Sequence, residues 1–225
     1  MPWGCLCSVK LFPKWQNDLV SVEAKARGPE LTSVQRILER TIHVIETAGE
    51  AAIRTNPIAF ECGVTPPILY RAYGSREGLI IAAQAERYRR STEDATTYLF
   101  RYIAEANSRD QLRENIATSL DFIFSDHRAA NRRLRAEVIG SSMSRPELRE
   151  HIIRIDNEYA AAVALRYQPA IENGWLPPER DYAVIALWAQ GIINARVMVD
   201  TGADAQTLKA WDDMSKHAIL STIFD

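Results

Sequence analysis

The chain has 225 residues, 47% of them hydrophobic and 25% charged, with a formal net charge of −2. That is enough chain to bury a sizeable core in one large domain or two small ones, with the apolar content of a globular protein. No apolar run is read as a membrane span, the start lacks the order of a signal peptide, and three cysteines make no disulfide framework, so a reduced cytoplasm is the expected compartment.

The charge is unevenly placed. Residues 1–91 hold 12 Lys+Arg and 9 Asp+Glu, a net of +3, and the remaining 134 hold 15 and 20, a net of −5. Three charges are either a chance excess or the mark of an end that meets a polyanion.

Residues 1–30 read as an N-terminal extension. Cys5 and Cys7 form a lone C-x-C there, without further ligands at zinc spacing, and no metal site is assigned. From Leu31 the pattern turns helical. Val34, Leu38, Thr41, Ile45 and Ala48 fall at steps of three and four on one face, Thr32 or Ser33 can cap, and Gly49 ends the run. A short second helix is predicted to start near Thr55 to Pro57 and to be stopped by Gly63. Ile58, Ala59 and Cys62 share one side of it. Val64 then plugs inward, Thr65 can cap a third helix, and Pro66 and Pro67 fit a first turn, where missing N–H groups cost nothing. Leu69 and Tyr73, four apart, face back to the core. Two short helices held by a glycine turn make a helix–turn–helix, whose second member is pushed outward and can enter a major groove.

Beyond Ser75 the chain reads as helical throughout. A long helix runs from about Arg76 to Ala106, the next to about Ser125, and a shorter one to about Ile139. "GSSMSRP" is a turn with Ser144 as cap, followed by a helix over Pro146–Glu172 with Pro169 near its end. Two last helices, roughly Pro178–Val199 and Asp204–Phe224, are split by "DTGAD". The fold class is all-α, with about nine helices: a head over 31–78 and an effector-binding and dimerisation domain over 79–225.

The stretch "GEAAIRTNPIAFECGVTPPILYRAYGSREGLI" resembles the DNA-binding segment of the TetR family of transcriptional regulators. The likeness lies in the glycine ending the first helix, the Ile-Ala of the second and the Gly-Val-Thr turn. It continues in the Leu-Tyr of the third helix, the aromatic Tyr73 and the Ser-Arg-Glu-x-Leu opening the fourth, and it spans about residues 33–82. The resemblance implies an all-α homodimer that binds duplex DNA through its heads and a small-molecule effector through its C-terminal domain. Carried over residue by residue, it implies DNA contacts from Arg54, Thr55 and Asn56, from Thr65, Pro66, Pro67 and Ile68, and from Tyr70, Arg71 and Arg76. Hydroxyls of Thr65 and Tyr70 suit phosphates, Arg76 sits beside a helix N-terminus that favours them, and Ile68 suits a thymine methyl. Asn56 or Arg54 suits a base edge. Ala72 stands where a histidine is common, Gly74 where a proline is, and Pro57 where many relatives are polar. Specificity is therefore expected in the second helix, the N-terminal arm or DNA shape.

In the body, Tyr98, Tyr102, Phe122, Tyr159 and Trp188 are expected to line a ligand cavity. Arg135 either orients an anionic or polar ligand or pairs with a carboxylate such as Asp121. His127 and His151 read as surface or capping residues. The helix "RDYAVIALWAQGIINARVMVD" is apolar nearly all round, so one side wants a partner. Ala186, Ala189, Ile193 and Val197, with Leu208 and Trp211 of the last helix, are the expected four-helix dimer seam. No hydrolase elbow, zinc-protease, phosphate-loop or dinucleotide motif appears, so neither an enzyme nor a cofactor is expected. The functional expectation is a sequence-specific DNA-binding regulator, a repressor released by a small-molecule ligand that tilts the long helix. The alternative is a helical dimeric module that binds ligand or protein and not DNA.

Overall fold

Start and stop signals in the sequence set most helix ends. The structure, a computed structural model, describes residues 31–225. The expected extension over residues 1–30, with Cys5 and Cys7, lies outside the described residues. Among the described residues are α1 (Ser33–Ala48), α2 (Thr55–Glu61), α3 (Pro66–Tyr73), α4 (Arg76–Glu105), α5 (Arg109–Phe124), α6 (Ala129–Ser142), α7 (Pro146–Glu172), α8 (Tyr182–Ala195), the four-residue α9 (Val197–Asp200) and α10 (Ala205–Phe224). No strand occurs among them. Single 3₁₀ turns at Glu50–Ala52 and Asp126–Arg128 join α1 to α2 and α5 to α6.

Side-chain caps open four helices. Ser75 Oγ accepts from Gly78 N at 2.9 Å for α4, and Ser108 Oγ from Gln111 N at 3.2 Å for α5. Asp181 accepts from Ala183 N and Val184 N for α8, and Asp204 from Thr207 N at 2.7 Å for α10. Each such cap stabilises its helix by about 1 kcal/mol. Two expected boundaries and two expected caps are corrected. α6 continues past Ile139 to Ser142, and Ser144 caps nothing: Arg145 precedes α7, whose first turn is set by Pro146. Thr65 makes no side-chain cap bond to α3. The helix expected over Pro178–Val199 starts only at the Asp181 cap and breaks at Arg196 into α8 and α9.

Three apolar cores succeed one another along α4. The head core joins Ile37, Ile42 and Ile45 of α1, Ile58 and Ala59 of α2, Leu69 of α3, and Leu79, Ile80 and Ala83 of α4. A middle core joins Ile81, Ala85 and Tyr88 of α4 to Val138 of α6 and to Leu148 and Ile152 of α7. The largest core gathers α5, α7, α8 and α10 around Leu120, Val163, Tyr167 and Ile219. A cut after residue 78 would remove α4's share of the head core. The buried face of α1 is centred on Ile37, Thr41 and Ile45 and not on Val34 and Ala48, which are exposed. Thr41 is accommodated because its hydroxyl donates to the Ile37 carbonyl at 2.7 Å. Leu69 is wholly buried, and truncating such a leucine costs about 2–5 kcal/mol.

Candidate nucleic-acid interface and cavity

Two glycine turns hold α3 in place. Gly63 takes a positive φ of 67°, its N–H donates to the Phe60 carbonyl at 3.0 Å, and Val64 N donates to Ala59 O at 3.0 Å. This left-handed turn stops α2 in one residue. After α3, Gly74 has φ 73°, and a Cβ at Gly78 would stand 2.2 Å from the Tyr73 carbonyl oxygen. Only glycine lets α4 start so close to the end of α3. With Leu69 turned inward and the Tyr73 hydroxyl donating to Val34 O at 2.8 Å, the outer edge of α3 is Thr65, Pro67, Ile68, Tyr70 and Arg71, all exposed. Burial pushes the Tyr73 phenol up to about 12, so it remains a donor.

The predicted DNA-contact residues share one surface. Arg54, Asn56 and Arg76 are exposed, and Thr55 and Pro66 are half-buried. Thr55 Oγ1 and the Tyr70 hydroxyl lie 3.0 Å apart, linking the start of α2 to the middle of α3. One hydroxyl of the pair donates to the other, which leaves one O–H for an outside acceptor. The two arginines do work that the sequence did not disclose. Arg54 Nη1 donates to the Ala51 and Ile53 carbonyls at 2.7 and 2.9 Å. Arg76 Nε and Nη2 donate to Ile53 O and Glu50 O, both at 3.0 Å. Both guanidiniums hold the 3₁₀ turn before α2, and with five N–H donors each they keep some to spare.

The same turn is latched to the body. The Glu50 carboxylate accepts from Gln84 Nε2 of α4 at 2.5 Å and from Ser141 of α6 at 2.8 Å, and pairs with Arg145 at 2.9 Å. Arg145 also pairs with Glu77 in the first turn of α4. Burial alone would raise the Glu50 carboxyl, but these bonds and the Arg145 charge outweigh it and hold it below its ordinary value.

α6 runs from this latch to a cavity of about 50 Å³ between α4, α5, α6, α7 and α8. Three arginines, Arg128 just before α6 and Arg132 and Arg135 within it, line it at steps of four and three. Arg132, 2% exposed, holds Asp200 with Nε and Nη2 at 2.8 and 3.1 Å and donates to the Ile123 and Ser125 carbonyls. Asp200 also pairs with Arg196, which grips Asp212 of α10 at 2.6 and 3.2 Å. Burial would raise the Asp200 carboxyl, but the two guanidiniums keep it below its usual range. Arg135, 5% exposed, donates to Asn194 Oδ1, Thr92 Oγ1 and the Tyr88 hydroxyl at 2.9, 2.6 and 2.8 Å. It does not pair with Asp121, which is held by Lys216. Its nearest carboxylate is Asp156 at 3.8 Å.

Of the expected ligand residues, Arg135 and Tyr159 line this cavity; Tyr98, Tyr102, Phe122 and Trp188 do not. Tyr98 and Phe122 stack beside it with ring centroids 4.2 Å apart, and Tyr102 lies under the Arg101 guanidinium at 5.1 Å. Trp188 is exposed on α8. Of the expected seam, Ala186 and Ala189 do not reach the surface. Ala186 and Ala189 are buried in the chain's own core, Ile193 lines the cavity, and Trp211 packs inward. Val197 and Leu208 are half-buried. The outward stripe of α8 is Val184, Leu187, Trp188 and Gly191, and α10 presents Ala210 and Met214. Contrary to expectation, Tyr182–Asp200 is long and apolar enough to cross a membrane by length and composition, with only 22% of it buried. Two signals for the site went unread: the Arg128, Arg132, Arg135 spacing, and the charges of α9 and α10 that answer it.

No family model and no curated protein matches the sequence. The fold, however, is that of known regulators. A crystal structure named for a TetR-family transcriptional regulator of Mesorhizobium loti superposes with a TM-score of 0.61 at 16% identity, covering 86% of this chain and 97% of that one. Salmonella enterica GusR gives 0.58 at 19% identity, over 87% of this chain and 99% of its own. A transcriptional regulator of Saccharomonospora viridis, solved in complex with choline, gives 0.57 at 15% identity, over 86% and 98%.

Proposed function

We propose that this chain is a TetR-family transcriptional regulator: a cytoplasmic homodimer that binds a partly palindromic duplex through α2 and α3 and represses until a small-molecule effector releases it. The observation that carries the reading is the outer edge of α3. A helix held by two glycine turns offers hydroxyls, an apolar side chain and arginine to solvent, on a chain that has the regulator fold over nearly its full described length. Tyr70 and Arg71 are the phosphate and groove contacts, Ile68 and Asn56 the candidates for base edges. Arg54 and Arg76 act at one remove as well as directly, because they fix the turn that aims α2.

The exposed stripe of α8 supports the dimer. An apolar helix left uncovered on one face calls for a partner face, and a second copy supplies α8 and α10 in a four-helix seam. Two such heads read two half-sites about one helical turn apart. The same exposed stripe is the observation in favour of the non-DNA reading, in which the seam or the cavity is the whole of the function.

Regulation would run along α4 and α6 together. α4 reaches from Arg76 at the head to Thr92 and Thr96 at the cavity; α6 reaches from the cavity arginines to Ser141 at the Glu50 latch. An effector that spreads the cavity would shift both helices against the head. It releases DNA only to the extent that it binds the two arrangements unequally, and typical couplings are about 1–3 kcal/mol. The deciding test selects bound fragments from genomic DNA and measures their affinity at two salt concentrations. Specific binding that weakens with salt is the expected result, and no specific fragment would leave the non-DNA module.

A further inference from the structure

The wall of the cavity is charged with one sign. Its lining holds three arginines and no acidic residue, with Ala95, Leu99, Ile123 and Ile193 as its apolar part. Two observations go beyond this count. Arg128 Nη2 is buried without a hydrogen-bond partner, although the same guanidinium pairs with Asp94 through Nη1. Arg135, nearly wholly buried, has its three hydrogen bonds taken up by neutral oxygens. A buried charge is ordinarily met by an opposite one. The nearby carboxylates are shared: Asp156 stands 3.8 Å from Arg135 without a direct hydrogen bond to it. Asp200 is shared by Arg132 and Arg196, and Asp156 accepts from Tyr88 and from Gln190 at 2.6 Å. Asn131 Oδ1 accepts from Ser91, which leaves its NH₂ as a further donor at the cavity.

We infer that the effector is a small organic carboxylate, its head on Arg128 and Arg135 and its apolar part against Leu99, Ile123 and Ile193. A cavity of about 50 Å³ admits a carboxylate-sized group, given that about 10–15 Å³ on the same measure holds a water. A longer tail requires α4 and α8 to part, which is the displacement the proposed regulation needs. The sign of the wall argues against a cation such as the choline of the Saccharomonospora viridis complex. The inference rests on the reading of this cavity as the effector site, but its test needs no DNA.

Full-length protein is titrated calorimetrically with acetate, butyrate, hexanoate and benzoate, and with the corresponding amides, at matched ionic strength. The expected result is saturable binding of at least one carboxylate, about ten- to hundredfold tighter than its amide, the range of hydrogen bonds to a charged group. R128Q should remove most of that preference, weakening the acids far more than the amides. The variant keeps its fold, because glutamine leaves no buried charge behind and Asp94, the partner it loses, is 54% exposed and turns to water. Amides that match the acids, a preference that survives R128Q, or no saturable heat from any acid each overturn the inference. None of these outcomes touches DNA binding, which the salt titration reads separately.

Discussion

The arginines of the head and those of α6 do opposite jobs with one side chain. Arg54 and Arg76 are exposed and donate to backbone carbonyls of the Glu50–Ala52 turn. Arg132 and Arg135 are buried and donate mostly to side chains drawn from α4, α8 and α9. An exposed guanidinium that loses its partner turns to water. A buried one leaves an uncompensated charge or an orphaned carboxylate. The head can therefore change its arginines at modest cost, whereas the body cannot.

The largest effect that would break this contrast is on Arg132. Arg132→Ala should destabilise the chain by about 4 kcal/mol, the range for breaking a buried pair, because Asp200 and two carbonyls lose their donor together. Urea denaturation gives the value. A loss under 1 kcal/mol would mean that Arg196 alone satisfies Asp200. Next comes the outer stripe of α8. Leu187→Asp should place an unpaired charge in a seam between copies, weakening the dimer by about 3 kcal/mol while the monomer stays folded. Light scattering and circular dichroism read the two parts. An unchanged mass would move the seam off α8. Substituting Ile193 or Trp211 would test the seam less cleanly, since both are also partly buried against the chain's own core.

The head was legible because it is local. Gly63, the Ile58–Ala59–Cys62 side, Leu69 and Tyr73 lie within sixteen residues, and turn chemistry ties each to its neighbours. Gly78 was less legible: its need arises from the approach of the Tyr73 carbonyl, which no pattern announces. In the body, periodicity gave the helices but not which way they face. α8 is apolar on all sides, so small Ala186 and Ala189 looked suited to a close dimer approach and instead lie against α7 and α10. The Arg132–Asp200 and Glu50–Arg145 pairs join residues far apart in sequence, and no local rule sets such partners.

Arg76→Ala sharpens the comparison from the head side. It should cost about 1 kcal/mol of stability, Ile53 O keeping only its Arg54 donor and Glu50 O only Ile53 N, and lower the salt slope of DNA binding by about one unit. Tyr70→Phe, by contrast, should weaken DNA binding with no more than about 0.5 kcal/mol of stability lost, because its partner Thr55 is half-buried and finds water. If the two variants behave alike in both assays, Arg76 serves the DNA only and its carbonyl bonds are incidental.

A further small effect lies where the two regions meet. The Glu50 carboxylate is partly exposed, and so is Arg145, so the pair is worth about 0.5–1 kcal/mol and not the several of a buried bridge. Its pH dependence has a definite sign. The Glu50 carboxyl is held below its ordinary value of 4.5, so its contribution is complete above about that pH and disappears as the pH falls through the folded value. Glu50→Gln removes the charge while leaving an amide oxygen for Gln84 and Ser141. The variant should thus be less stable than the parent near neutral pH. The gap should close as the pH falls through the folded value, where the parent's carboxyl also becomes neutral. Taking the difference between the two proteins cancels every other carboxylate that titrates in the same window. A gap that persists in acid would mean that Glu50 acts through shape and hydrogen bonding, not charge. A gap that widens would reverse the assigned shift and detach α6 from the head as an electrostatic link.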